Sequence, residues 1–208
     1  MKAGDDKVGE RILIPYLLNK SITKIDYIIV SHFDSDHVGG IITVIEKLNV
    51  DTVIISKQDK ICENYERFVQ VVNKRKVKIV FAKMGDRLKV ENDLYFDFLW
   101  PSGEHVINDN ILNNNSLVCN MHYNGFSVLF TGDIEKIAEE QILQSYKENY
   151  SKLRATVLKV GHHGSKTSSI QQFIERVNPK YALIGVGVDN KFGHPNNEII
   201  SRLKNMRN

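Results

Sequence analysis

Residues 31–40 read SHFDSDHVGG, and this stretch decides the fold. Two histidines and two aspartates fall between His32 and His37, straight after the apolar run YIIV (27–30) and just before Gly39-Gly40. His32, Asp34 and Asp36 recur with period two. On an extended bend they face one side, with His37 turned to a neighbouring point. Such a set suits two adjacent cations. Gly39 and Gly40 let the next helix begin close to the bend with no Cβ in the way. A capped helix start accounts for an aspartate or two at this spot, but not for two histidines as well.

Outward from the bend, strands and helices alternate. VGERILIPYLLNKSI (8–22) reads as a helix with Pro15 in its first turns. KIDYIIVS (24–31) is a short β-branched strand, HVGGIITVIEKL (37–48) a helix and VDTVIIS (50–56) a second strand. NYERFVQVVNKRK (64–76) is amphipathic and helical, and VKIVFA (77–82) is a third strand. This is the βαβ pattern of a parallel or mixed sheet. The middle changes to hairpins, one turning at Asn92-Asp93 and one at Asn124-Gly125. The polar segment 102–115 between them reads as a loop. Residues 134–149 read as a helix. The last third returns to strand and helix: strand from 155, helix 168–178, strand 180–188, helix 195–206.

The chain has 208 residues, 42% apolar and 25% charged, which favours one domain with a sizeable core. A net charge of +3 tolerates a polyanionic partner without demonstrating one. Cys62 and Cys119 form no C-x-x-C pair and read as buried or free thiols. No run reaches the roughly 18 apolar residues of a spanning helix, and the N-terminus lacks a signal core, so the chain reads as soluble.

Three further clusters carry chemistry: FTGD (130–133), LKVGHHGSKTS (158–168) and KFGHP (191–195). Each follows an apolar run and precedes a helix. In α/β layers ligands gather at the carboxyl ends of strands, so four clusters at that kind of address read as one site.

HFDSDH resembles the H-x-[HD]-x-D-H signature of the metallo-β-lactamase fold. SHFDSDHVGG, NNNSLV, LFTGDIEK, VLKVGHHGSKTSS and NKFGHPNNEII, in that order, look like the metallo-β-lactamase-like domain of the ComEC family of DNA-internalisation competence proteins. The resemblance covers nearly the whole chain. It implies an α/β fold, a four-layer αββα sandwich, and a metal-dependent hydrolase. It implies His32 and Asp34 on a first metal, Asp36, His37 and His162 on a second, and Asp133 bridging both, with His163 the alternative to His162. Asn115 stands near the slot where His-rich relatives place another histidine, and it becomes a partner of substrate or water. Ser165, Lys166 and His194 would hold a phosphate or protonate a leaving group. Asp36, Asp133, His163 and His194 would be the catalytic set.

Three histidines and three carboxylates make an oxygen-rich site, which shifts preference from Zn²⁺ toward Mn²⁺ or Mg²⁺, with Mn²⁺ favoured and Zn²⁺ second. Two such ions about 3.5–4 Å apart share a hydroxide suited to a phosphodiester. The implied function is a nuclease acting on single-stranded DNA during uptake. Two other functions fit the same fold: a domain that only guides DNA, and a hydrolase of small thioesters or lactones. Against the family pattern the chain starts after the opening strands and stops before a terminal strand. That reads as an incomplete single domain, 1–208, with an exposed sheet edge that a second copy would cover. The family's membrane channel is absent from it. By resemblance the domain is extracytoplasmic, and expressed alone it would be cytoplasmic.

Overall fold

The computed structural model describes residues 8–57 and 60–206. The fold is mixed α/β with two sheets and flanking helices, and the chain divides into two compact units, Met1–Ala82 and Lys83–Asn208.

The first unit is built on three parallel strands: β1 (Lys24–Ile29), β2 (Asn49–Ile55) and β3 (Lys78–Phe81), in the order β1-β2-β3. The register places Ile28 beside Val53, and Val53 beside Ile79. Three helices accompany them: α1 (Ile14–Asn19), α2 (Ser35–Lys47) and α3 (Glu63–Arg75). Pro15 sits in the first turn of α1, where its missing N–H costs no bond. α2 buries Val38, Ile42 and Ile45, spaced by four and three, and these pack with Ile28, Val53, Ile55, Phe68 and Val72. A π-helical turn, Gly9–Leu13, precedes α1 and crosses α2. A Cβ at Gly9 would lie 2.6 Å from the Gly40 carbonyl oxygen, so only glycine allows that crossing.

The second unit holds a six-stranded sheet in the order β4-β5-β6-β7-β8-β9. β4 (Arg87–Lys89) and β5 (Leu94–Trp100) form the first expected hairpin, and β6 (Val118–Tyr123) and β7 (Phe126–Phe130) the second. Gly125 in the second turn has φ of 78°, which glycine adopts without strain. β8 (Val157–Lys159) and β9 (Tyr181–Leu183) add in parallel beyond β7. The segment read as a loop contains one short helix, α4 (Ile111–Asn114), and β9 stops well short of the expected 180–188. Helices α5 (Lys136–Ser145), α6 (Gln171–Val177) and α7 (Asn197–Asn205) complete the unit. Its core joins Trp100, Val118, Leu129, Ile142, Leu158, Phe173 and Ile199.

Glu139 of α5 is 1% exposed and accepts hydrogen bonds from the N–H groups of Ser169 (2.6 Å) and Ile170 (2.8 Å). Burial pushes its carboxyl up to about 7, against the pull of those donors and of Arg202. It anchors the end of the loop that carries the paired histidines. Among the described residues no helix is long and apolar enough to cross a membrane.

Candidate metal centre

In the first unit, pairing with β2 continues past β1, because the Val30 N–H donates to the Ile54 carbonyl at 3.0 Å. The chain then turns. Asp34 is extended (φ −71°, ψ 146°), and its carbonyl accepts from the N–H groups of His37 and Val38, both at 3.0 Å. The helix begins at Ser35, two residues earlier than the sequence pattern indicates. This corrects the picture of one extended bend. Asp36 and His37 stand on the first helical turn, where alternation by two no longer applies.

The four side chains still gather. His32, 1% exposed, places Nε2 3.6 Å from Asp34 Oδ2, and His37 Nε2 lies 3.8 Å from Asp36 Oδ2. The two imidazoles lie 4.1 Å apart, centroid to centroid. Ser31 holds both: its Oγ shares a hydrogen bond with His32 Nδ1 (3.1 Å) and reaches His37 Nδ1 at 3.5 Å. Phe33 points the other way, into the core against Tyr65 and Phe68. Its carbonyl accepts from Asn64 Nδ2 of α3 at 2.9 Å, and the same amide donates to Ser35 Oγ at 3.0 Å.

Ser31 was missed in the sequence, where a serine before a histidine carries no signal. Ser31→Ala is expected to weaken divalent-metal binding about 10- to 100-fold, the usual loss when a partner that orients a liganding histidine is removed. A metal titration with the melting temperature followed in parallel checks this.

In the second unit, β7, β8 and β9 are parallel, so their carboxyl ends lie on one edge of the sheet. The segments after them carry Asp133, His162, His163 and His194. Asp133 is 3% exposed, and its N–H donates to Ser116 Oγ at 3.3 Å. The paired histidines diverge. His163 Nε2 lies 3.1 Å from Asp133 Oδ2, while its Nδ1 bonds the Gly185 carbonyl at 2.7 Å. His162 turns to Glu135, with Nδ1 3.2 Å from Oε1, and toward Thr167 Oγ1 at 3.4 Å. Both residues have left-handed φ, 45° and 55°, a conformation costing roughly 1–2 kcal/mol each. Strain of this kind collects at functional sites.

The remaining residues singled out in the sequence take different places. The Asn115 amide clasps its own loop: Oδ1 accepts from the Ile107 N–H at 3.1 Å, and Nδ2 donates to the carbonyls of Ile107 (2.8 Å) and Ile111 (2.7 Å). Ser165 is buried and bonds Thr167 Oγ1 at 3.0 Å, closing its turn. Lys166 is exposed beside a cleft that Lys136, Gln171 and Arg202 also line. The His194 ring lies 5.8 Å from that of His162 and stacks on Phe192. Burial first, then His162 and His163, hold its pKa below that of an ordinary histidine. Cys62 and Cys119 are not joined, and burial pushes the Cys119 thiol up to about 12.

Two residues of this edge carried no sequence signal. Glu135 orients His162. Lys159 donates from Nζ to the Gly132 carbonyl (2.7 Å) and to Asp133 Oδ1 (3.2 Å).

The donors fit a divalent cation. Ligands at about 2.0–2.2 Å from one ion stand roughly 3–3.5 Å apart, closer in an octahedral than in a tetrahedral shell, and the 3.1 Å between Asp133 Oδ2 and His163 Nε2 falls in that range. The Gly185 carbonyl holds the proton on His163 Nδ1 and so presents the Nε2 lone pair, the usual support of a liganding histidine.

Residues 3–188 match the family model of the metallo-beta-lactamase superfamily. The chain belongs to that superfamily. It is 34% identical over 197 residues to ComE operon protein 3 of Bacillus subtilis, a match that takes in 95% of this chain and 24% of that protein. It is 30% identical to Competence protein ComA of Neisseria gonorrhoeae (92% and 24%) and 30% identical to Recombination protein 2 of Haemophilus influenzae (94% and 22%). The chain therefore spans about a quarter of the length of these curated relatives. Among solved structures it resembles CmlA, a diiron beta-hydroxylase from Streptomyces venezuelae, with a TM-score of 0.60 at 13% identity over 89% of this chain and 42% of that one. It also resembles a metallo hydrolase from Ignicoccus hospitalis, with a TM-score of 0.55 at 15% identity over 86% and 72%. At those identities the likeness concerns the fold.

Proposed function

We propose that the chain is a metal-dependent phosphodiesterase that cleaves DNA, single-stranded DNA above all, in competence-related uptake. The carboxylate content of the candidate centre carries this reading. Asp34 stands where a histidine is the alternative in the superfamily signature, and Asp36 and Asp133 add two more oxygen donors. Oxygen donors suit Mn²⁺, with Zn²⁺ second. The competence and recombination proteins that the chain resembles support DNA as the substrate class.

In this reading, and as the resemblance implies, His32 and Asp34 would hold one divalent ion, and Asp36, His37 and His163 would hold the other. Asp133 serves both, and superfamily membership is the support for joining the two sets. Of the two alternatives, His162 and His163, this reading takes His163, supported by its Nε2 standing 3.1 Å from Asp133 Oδ2. Divalent ions held there would supply a hydroxide at neutral pH and offset the phosphodiester charge. The protein's own groups do the rest. Ser31 and the Gly185 carbonyl orient imidazoles. Glu135 orients His162, which lies close to His194, and either can pass a proton to a leaving oxygen. Lys166 stays in solvent, where it can meet a phosphate.

The test is incubation of the purified chain with single-stranded DNA and Mn²⁺, beside Asp36→Ala and His37→Ala. The expected result is cleavage by the parent, stopped by a chelator and by either substitution with the fold kept. Tight DNA binding without cleavage would replace this reading with a guiding domain. Thioester turnover without phosphodiester cleavage would replace it with a small-molecule hydrolase.

A further inference from the structure

We infer that Lys159 is a built-in competitor for one of the two metal positions, so that the ions bind in two unequal steps. The inference rests on the reading above, in which Asp133 serves both ions.

Lys159 is the last residue of β8, paired in register with Phe130 of β7. Its carbonyl accepts from Thr131 Oγ1 at 2.7 Å. Its backbone is therefore fixed on both sides of the strand end. Its ammonium divides between two acceptors, the Gly132 carbonyl at 2.7 Å and Asp133 Oδ1 at 3.2 Å. The other carboxylate oxygen, Oδ2, faces His163 Nε2 at 3.1 Å. The two oxygens of Asp133 are thus unlike: one stands with a metal-type donor, the other with a fixed positive charge.

A divalent ion on the Oδ2 side leaves the ammonium in place. A divalent ion on Oδ1 must displace it, because two cations on one carboxylate oxygen repel. The Gly132 carbonyl keeps the displaced ammonium nearby, and an ammonium has three donors to share. The Oδ2 position therefore fills first, and the Oδ1 position fills against a tethered charge. Asn115 adds to the asymmetry. By the resemblance it stands near the slot where His-rich relatives place a further histidine, and its amide donates to the carbonyls of Ile107 and Ile111. Nuclease activity would then follow free metal concentration steeply, through the second ion.

The experiment is a Mn²⁺ titration of the full chain, counting bound ions by the loss of the free-ion magnetic resonance signal, with no DNA present. The parent is expected to show two classes of site. In Lys159→Met the weaker class should tighten about tenfold or more, and Lys159→Gln should do the same with a hydrogen-bond donor kept. Lys159→Arg, which keeps the charge, should leave the two classes apart. Circular dichroism shows which variants are folded. Equal affinities in the parent would overturn the inference, as would an unchanged weaker site in both folded neutral variants. Absence of any bound Mn²⁺ in the parent would overturn the metallohydrolase reading and this inference together. Titrations that behave as expected beside a chain that cleaves no DNA would overturn only the phosphodiesterase reading.

Discussion

Asp133→Ala is expected to remove most of the metal bound by the purified chain and to lower phosphodiester cleavage by about a hundredfold or more. Partners that merely orient liganding side chains are worth about 10- to 100-fold, and under the proposed function Asp133 would itself be a ligand, shared by both ions, so its loss should exceed theirs. The local electrostatics point the same way. The Asp133 carboxylate separates Lys159 at 3.2 Å from His163 at 3.1 Å. Without it, the ammonium and the imidazole proposed to receive a cation both lose their carboxylate partner. Asp133→Asn is the sharper variant, because it keeps the shape and the bond from its N–H to Ser116 while removing the charge. Metal analysis and a cleavage assay on both variants check this. Full metal content in Asp133→Asn would show that the carboxylate is no ligand.

Phe33→Ala is expected to destabilise the chain by about 3–5 kcal/mol, the range for deleting a buried aromatic side chain. Phe33 is 1% exposed and meets Tyr65 and Phe68 edge to face, at centroid distances of 5.0 and 5.2 Å. It lies between His32 and Asp34, so the cavity forms directly beneath two candidate ligands. Metal affinity should fall along with stability. Phe33→Leu fills much of the same volume and should recover most of both. Urea denaturation gives the first quantity and metal titration the second. Unaltered metal affinity in a destabilised Phe33→Ala would separate the bend from the core packing beneath it.

Much of the architecture was legible in the sequence because it rests on periodicity. The β-branched runs at 24–31, 50–56 and 77–82 become the three parallel strands, and Asn124-Gly125 becomes a hairpin turn. Side chains two apart share a strand face, and those three or four apart share a helix face, wherever the chain lies. The candidate donors stood out too, since histidines and aspartates grouped at strand ends have few other uses.

The orientation of those donors was not legible. His162 and His163 are adjacent and identical in type. Glu135 draws one, while Asp133 and the Gly185 carbonyl draw the other. All three partners are distant in the chain from at least one of the histidines, and two left-handed residues in a row are needed to part the rings. The resemblance makes Asn115 a partner of substrate or water, while in the fold its amide donates to the loop carbonyls of Ile107 and Ile111. Lys159 in a β-strand and Ser31 before a histidine look ordinary until the fold places a carboxylate by one and two imidazoles by the other. The sequence by itself determined the elements, the superfamily signature and the stock of metal donors. Only the tertiary structure decided which nitrogen faces which oxygen and which charge stands beside Asp133, because those contacts join residues that no sequence period relates.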